Sequence, residues 1–160
     1  MNIGIIVYSK TGNTLQVAER IKVALELQGN TVSVKRFQAE TSGETSNTPL
    51  QLTASPDPNV YDAVIFGAPV QAFSLDPAMA MYLRQIGTIR SMPAMCFITQ
   101  HFKKPWMGGN RAMKQLLMLL KSRSVTAVPM GVVNWSSEQR DAQIEFISRK
   151  CAEALKENRA

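Results

Sequence analysis

Apolar and polar positions alternate along the chain in two periods, and the periods take turns. Asn2–Tyr8 is a nearly continuous apolar run, as a strand buried on both faces requires. Over residues 14–28 the spacing becomes helical: Val17, Ala18, Ile21 and Leu25 share one face, and Gly29-Asn30 ends the segment. Thr31–Phe37 predicts a second strand, nearer a sheet edge, with Val32, Val34 and Phe37 apolar. Residues 39–59 are rich in Ser, Thr, Asn, Pro and Glu and predict a long loop with a short helical turn near Leu50–Leu52. Ala63–Phe66 is a third strand ending at Gly67. Asp76-Pro77 starts a helix, Asp as N-cap and Pro at N1, followed by Met79, Tyr82, Leu83 and Ile86 on one face.

Ala94–Thr99 predicts a fourth strand. Gly109-Asn110 opens a helix carrying Met113, Leu116, Leu117 and Leu120, and Val125–Val133 is a fifth strand. Ser136-Ser137-Glu138-Gln139 has the form of a capping box, with Ser136 at N-cap and Gln139 at N3. The last helix shows Ile144, Ile147, Cys151 and Leu155. Strands separated by helices imply right-handed crossovers and a parallel sheet covered on both faces. A ligand is then expected at the carboxyl ends of the strands, where strand order reverses. That directs attention to three loops, after Tyr8, after Gly67 and after Thr99.

The length of 160 residues suits one domain, and 45% hydrophobic residues allow a sizeable core. Two cysteines and one histidine leave no disulfide framework and too few ligands for a structural zinc site. Cys96 and Cys151 fall on apolar faces, as inert core thiols do. No apolar run approaches the roughly 20 residues of a membrane helix. The N-terminal Met-Asn-Ile-Gly-Ile-Ile-Val-Tyr has no basic segment ahead of the apolar one, so a soluble cytoplasmic protein is expected, with no membrane partner.

The formal net charge is +6. The excess is local: from Pro77 to Ser137 there is no Asp or Glu, while Arg84, Arg90, Lys103, Lys104, Arg111, Lys114, Lys121 and Arg123 all lie there. Such a stretch is either a set of solvated helix faces or a positive face for an anionic ligand or partner. Nucleic acid finds no helix-turn-helix, zinc-finger or RNP-type pattern to support it.

The first loop, Ser9-Lys10-Thr11-Gly12-Asn13-Thr14, joins a buried strand directly to a helix. A helix start offers unpaired N–H groups and a partial positive charge, the hydroxyls add donors, and Gly12 lets the backbone wrap closely. This composition suits a phosphate. The loop lacks the Gly-Lys-Ser/Thr ending of a P-loop and the three glycines of a dinucleotide fingerprint. In its context the segment resembles the FMN phosphate loop of flavodoxins, Ser/Thr-x-Thr-Gly-Asn-Thr. Tyr61–Val70 is similar to the third-strand segment of flavodoxin-like reductases, and the element order matches over residues 1–160.

The resemblance implies a single-domain, three-layer α/β/α fold with a five-stranded parallel sheet in the order 2-1-3-4-5, and FMN as cofactor. It also implies that Ser9, Thr11, Asn13 and Thr14, with the backbone N–H groups from Lys10 to Thr14, hold the phosphate. Pro69, Val70, Gln71, Ala72 and Phe73 would lie beside the isoalloxazine, with Phe73 either a wall or a core staple. Thr99, Gln100, His101, Trp106 and Gly108 belong to a third loop that is aromatic, basic and Gly-rich. There Thr99 and Gln100 suit the pyrimidine edge, and Trp106 covers either a flavin face or the loop's interior.

Three departures from the family pattern stand out. The surroundings of the expected flavin are basic where classical members are acidic. Val70-Gln71-Ala72-Phe73 lacks the glycine whose peptide turns toward the reduced ring. The third loop lacks the acidic Gly-Asp element. Positive charge near the ring favours its reduced anionic form, so a less negative potential than in acidic relatives is expected. Three readings stay open: an electron carrier docking to an acidic redox protein, a reductase using NAD(P)H with a quinone or other small acceptor, and a non-redox module binding a phosphate ligand or nucleic acid.

Overall fold

The computed structural model describes residues 1–41 and 50–158. The elements are β1 (Asn2–Tyr8), α1 (Asn13–Glu26), β2 (Thr31–Phe37), β3 (Ala39–Thr41), β4 (Leu50–Leu52), a 3-10 turn (Pro58–Val60), β5 (Ala63–Gln71), β6 (Ser74–Leu75), α2 (Pro77–Gln85), β7 (Ala94–Gln100), α3 (Gly109–Ser122), β8 (Val128–Asn134) and α4 (Arg140–Glu157). Five strands form one parallel sheet in the order β2-β1-β5-β7-β8, which is the predicted 2-1-3-4-5 arrangement of the major strands. The short β6 adds an antiparallel pairing to the far end of β5.

Both faces of the sheet are covered, and the strand period explains how. Ile3, Ile5 and Val7 of β1, Ala63 and Ile65 of β5, and Met95 and Phe97 of β7 point into one core with α1 and α4. The intervening Ile6 and Tyr8, Val64, Phe66 and Ala68, and Ala94, Cys96 and Ile98 point into the other core with α2 and α3. Each fully buried aliphatic side chain stabilises the fold by roughly 1.5–3 kcal/mol, so the two layers hold the sheet from both sides. The cysteines are free and buried, and burial pushes both thiols up to about 12, which keeps them protonated and unreactive.

The structure differs from the sequence expectations at four places. The third strand does not end at Gly67 but runs on to Gln71, where Val70 and Gln71 pair with β6. Leu50–Leu52 is a strand, antiparallel to Ala39–Thr41, and not a helical turn. Leu50 and Leu52 lie two residues apart, the strand period, and both rest on the α2–α3 core beside Ala39. Residues 42–49 of the expected loop lie outside the described residues. The fifth strand begins at Val128, because residues 123–125 still complete the end of α3 through Ser124 N–H to the Lys121 carbonyl and Val125 N–H to the Leu120 carbonyl. The capping box does not form. Ser136 instead donates its Oγ hydroxyl and its backbone N–H to the His101 carbonyl, at 2.6 and 3.1 Å, and α4 starts only at Arg140. The end of β7 captures the serine that the sequence pattern assigns to the helix.

Close packing is tightest where β5 passes the α1–α4 core. A Cβ added at Gly67 would stand 2.2 Å from the ring of Phe97, itself fully buried. Gly67→Ala is therefore expected to cost about 1–3 kcal/mol in urea unfolding, the range for overpacking a filled core; an unchanged midpoint would contradict this packing.

Candidate functional site

Strand order reverses at β1: its crossover through α1 leads to β2 on one side, whereas β5 lies on the other. Loops leaving the ends of β1 and β5 therefore diverge, and a cleft opens between them. It measures about 320 Å³ and is lined by residues of all three loops singled out in the sequence, together with Asp76.

At the β1 end, Gly12 occupies the N-cap of α1 with φ of 99°. This left-handed conformation is open to glycine at little cost, and it turns the chain sharply from strand to helix. No side chain caps α1, and nothing among the described residues accepts from the N–H groups of Asn13 and Thr14. Ser9 is buried, and its Oγ accepts from Leu15 N–H at 3.2 Å, fixing the loop from below. Arg36, at the end of β2, donates from Nε and Nη2 to the Ser9 carbonyl at 3.0 and 2.5 Å. That guanidinium adds a positive charge at the base of the loop. Lys10, Thr11, Asn13 and Thr14 face the cleft.

Thr14 and Thr99, both expected at the ligand, are bound to each other. Their Oγ1 atoms lie 2.8 Å apart in a buried hydrogen bond. The first turn of α1 is thereby fastened to the end of β7. Gln100 follows Thr99 and is also buried; its Nε2 donates to the Lys104 carbonyl and to Asn134 Oδ1, both at 2.5 Å, while its Oε1 is buried without a partner among the described residues. Of the eight buried polar residues among those described, six lie at this end of the sheet: Ser9, Thr14, Asp76, Thr99, Gln100 and Asn134. A buried polar group is costly unless satisfied, so their concentration here marks the working edge of the fold.

At the β5 end, Val70 pairs with Leu75 and Gln71 with Ser74, leaving Ala72 and Phe73 as a two-residue hairpin turn. Both have positive φ, 49° and 62°. A tight hairpin of this kind favours Asn-Gly, and each non-glycine residue there is strained by about 1–2 kcal/mol. The strain is contained from two sides. Gln115 Oε1 of α3 accepts from Leu75 N–H at 2.8 Å, and Gly108, with φ of 115°, lies so close that a Cβ there would stand 2.8 Å from Phe73 Cα. Pro69, Val70 and Gln71 line the cleft; Ala72 lies outside it and exposed. Phe73 is not a core staple. It is 54% exposed and stacks parallel on Phe102, ring centroids 5.5 Å apart. His101 lines the cleft, whereas Trp106 stands outside it, 72% exposed with Lys104 Nζ 5.7 Å from its ring centroid.

Sequence reasoning missed three contributors. Asp76 was expected only as the N-cap of α2, which it is, its Oδ1 accepting from Ala78 N–H at 2.9 Å. It also lines the cleft while only 5% exposed. Burial pushes its carboxyl up, against the Ala78 N–H and the charge of Lys10, which pull it down. Its position directly after the second loop was the available signal. Asn134, a polar residue closing an apolar strand, was another. Arg36 carried no signal, since only the β1–β2 register brings it opposite Val7.

The flavodoxin-domain family model matches residues 4–136. The chain belongs to the flavodoxin family. Among solved structures it is similar to oxidised flavodoxin 1 from Bacillus cereus, at 17% identity over 98% of each chain with a TM-score of 0.65. It is similar also to a cysteine-to-serine mutant of flavodoxin from Pseudomonas aeruginosa, at 17% identity over 98% of this chain and 99% of that one, TM-score 0.70. A flavoprotein in complex with FMN from Lactobacillus acidophilus matches at 17% identity over 89% of this chain and 97% of that one, TM-score 0.50. No curated protein sequence matches significantly. At these identities the structures establish the fold. The family membership makes FMN the cofactor and electron transfer the function. The residues present fit that group: the cleft gathers donors for a phosphate dianion in the two helix N–H groups of Asn13 and Thr14, the Lys10 ammonium, the Thr11 hydroxyl and the Asn13 amide.

Two outcomes follow from this geometry. Ala72→Asn, which tolerates a left-handed backbone, is expected to stabilise the fold by about 0.5–1 kcal/mol; a loss of stability in urea unfolding would show that the turn is not strained. The folded state also holds the Asp76 proton more tightly than the unfolded chain does. Stability from this group is therefore greatest below its ordinary value of 3.8 and declines as pH rises through the higher folded value. Asp76→Asn keeps the cap and removes the titration, so its stability relative to wild type should increase from pH 3 to pH 7; a constant difference would contradict the burial argument.

Proposed function

We propose that this chain is a cytoplasmic FMN-dependent oxidoreductase component, an electron carrier whose partner is an acidic redox protein. The observation that carries the reading is the pairing of a donor-rich phosphate cradle with a basic aromatic rim on the same edge of the sheet. FMN supplies the redox chemistry when bound. Lys10, Thr11, Asn13 and the first N–H groups of α1 would hold its phosphate. Thr14 serves through its bond to Thr99, which keeps the helix start in place, and Ser9 and Gly12 shape the loop. Pro69, Val70, Gln71 and His101 would border the rest of the group, with Gln100 and Asn134 supporting the floor.

The rim explains the partner. Phe73, Phe102 and Trp106 are exposed beside the cleft, Lys103 and Lys104 are exposed between them, and the whole span from Pro77 to Ser137 is free of acids. Exposed aromatic side chains supply contact area for a partner, while the unopposed lysines steer an acidic one. The basic surroundings favour negative charge on the reduced group, so we also assign this chain a less negative midpoint potential than acidic members of its family. NAD(P)H is the second candidate donor, since the same charges attract its phosphates. Among the described residues no helix is long and apolar enough to cross a membrane. Two unpaired, buried thiols agree with a reducing compartment.

The test uses the FMN-reconstituted protein. Reduction by an acidic electron-transfer protein should slow steeply between roughly 10 mM and 500 mM salt, as screening shortens the range of the lysine charges. Lys103→Gln/Lys104→Gln should slow it at low salt and shift the midpoint potential to more negative values. A rate indifferent to salt and to both substitutions would refute the docking rim, and rapid NAD(P)H oxidation by the protein alone would assign it to the reductases.

A further inference from the structure

The phosphate end of the cleft is built from donors, yet one carboxylate faces it. Asp76 is 95% buried by the measure of its 5% exposure, and the part of it that reaches open space does so in the cleft. Its two oxygens have different tasks. Oδ1 accepts from Ala78 N–H at 2.9 Å and caps α2. Oδ2 accepts no hydrogen bond among the described residues. A cap needs one oxygen, and Ser, Thr or Asn would supply it as well without burying a charge. The second oxygen is therefore surplus to the fold, and it is kept at the cost of desolvating a carboxylate.

The surroundings narrow what that oxygen is for. The charge of Lys10 acts on the Asp76 carboxyl, and Asp76 in turn acts on Tyr8 at the end of β1. Arg36 acts on Tyr8 and on the Ser9 carbonyl. A bare carboxylate in this position repels a phosphate dianion and would weaken a ligand consisting of phosphate alone. It strengthens a ligand that brings a hydroxyl donor, because hydrogen bonds to ionised acceptors are the strong ones. Asp76 N–H donates to the Pro69 carbonyl at 3.1 Å, which sets the residue against the β5 end of the cleft, and Lys10 and Thr11 line the same cleft.

We propose that Asp76 is a specificity-determining binding residue whose outward oxygen accepts a hydrogen bond from a hydroxyl of the polyol chain linking the ligand's phosphate to its ring. The inference rests on the FMN reading above. It makes the cleft selective for phosphorylated sugar alcohols over phosphate itself, with donors at one end and a fixed acceptor beside them.

Calorimetric titration of the apoprotein with FMN, riboflavin and inorganic phosphate tests this. Asp76→Ser keeps an N-cap acceptor for Ala78 and removes the outward oxygen. It is expected to melt within a few degrees of wild type, to bind FMN and riboflavin each roughly tenfold or more weakly, and to bind inorganic phosphate no worse. Asp76→Asn, which still presents a polar atom at that place, should fall between wild type and Asp76→Ser. Unchanged FMN and riboflavin affinity in Asp76→Ser, or tighter binding of both FMN and phosphate, would overturn the proposal, the latter showing a merely repulsive charge. Failure of the wild-type protein to bind either flavin would instead overturn the FMN reading itself.

Discussion

The fold rests on one constraint: its three central strands are buried on both faces. β1, β5 and β7 carry apolar side chains toward α1 and α4 on one side and toward α2 and α3 on the other. Along their length there is no room for a polar side chain, and polar chemistry is confined to where the strands end. The buried polar residues obey this, six of the eight among the described residues gathering at the carboxyl edge. The cleft is thus a consequence of how the sheet is covered, and the loops decorate a position that the packing had already chosen.

At that edge the parts are braced against each other. The Thr14–Thr99 hydrogen bond joins residues 85 apart in sequence and ties the helix start to β7. Gln100 and Asn134 continue the tie to β8, and Gln143 Oε1, accepting from Asn134 N–H at 2.8 Å, carries it to α4. Gly108 and Gln115 hold the hairpin at Ala72-Phe73 in a conformation those two residues would not choose alone. A ligand meeting this edge meets groups already fixed, so little ordering remains to be done on binding. The rim is built differently. Phe102, Lys103, Lys104 and Trp106 are exposed, with Phe102 stacked on Phe73 and Lys104 Nζ over the Trp106 ring.

Much of this was legible in the sequence, and the limits have physical causes. The major strands and helices announced themselves because burial on both faces leaves continuous apolar runs and one-sided helices. The strand-to-helix loop Ser9–Thr14 was legible as part of the cleft because all six of its residues are local. What failed was whatever depends on distant partners. Ser136 satisfies every local rule for a helix cap, but the His101 carbonyl competes for it successfully. Thr14 and Thr99 both line the cleft, but their bond to each other could not be read before the fold brings them together. Leu50 and Leu52 read as a turn because their strand partner, Ala39–Thr41, lies across a polar segment. Asp76 had one visible duty, and its second appears only once the cleft is formed. Val70-Gln71-Ala72-Phe73 holds no glycine, yet Ala72 and Phe73 adopt the positive φ that glycine favours.

The central claim is that the helix start at Gly12–Thr14 anchors the ligand through its phosphate. Comparing the dissociation constants of FMN and riboflavin for the wild-type apoprotein tests it most directly. The account predicts that FMN binds at least a hundredfold more tightly, since two free N–H groups, a lysine and side-chain donors act on the phosphate alone, each such charge-assisted bond contributing about 1.5–3 kcal/mol. Equal affinities for the two flavins would contradict it.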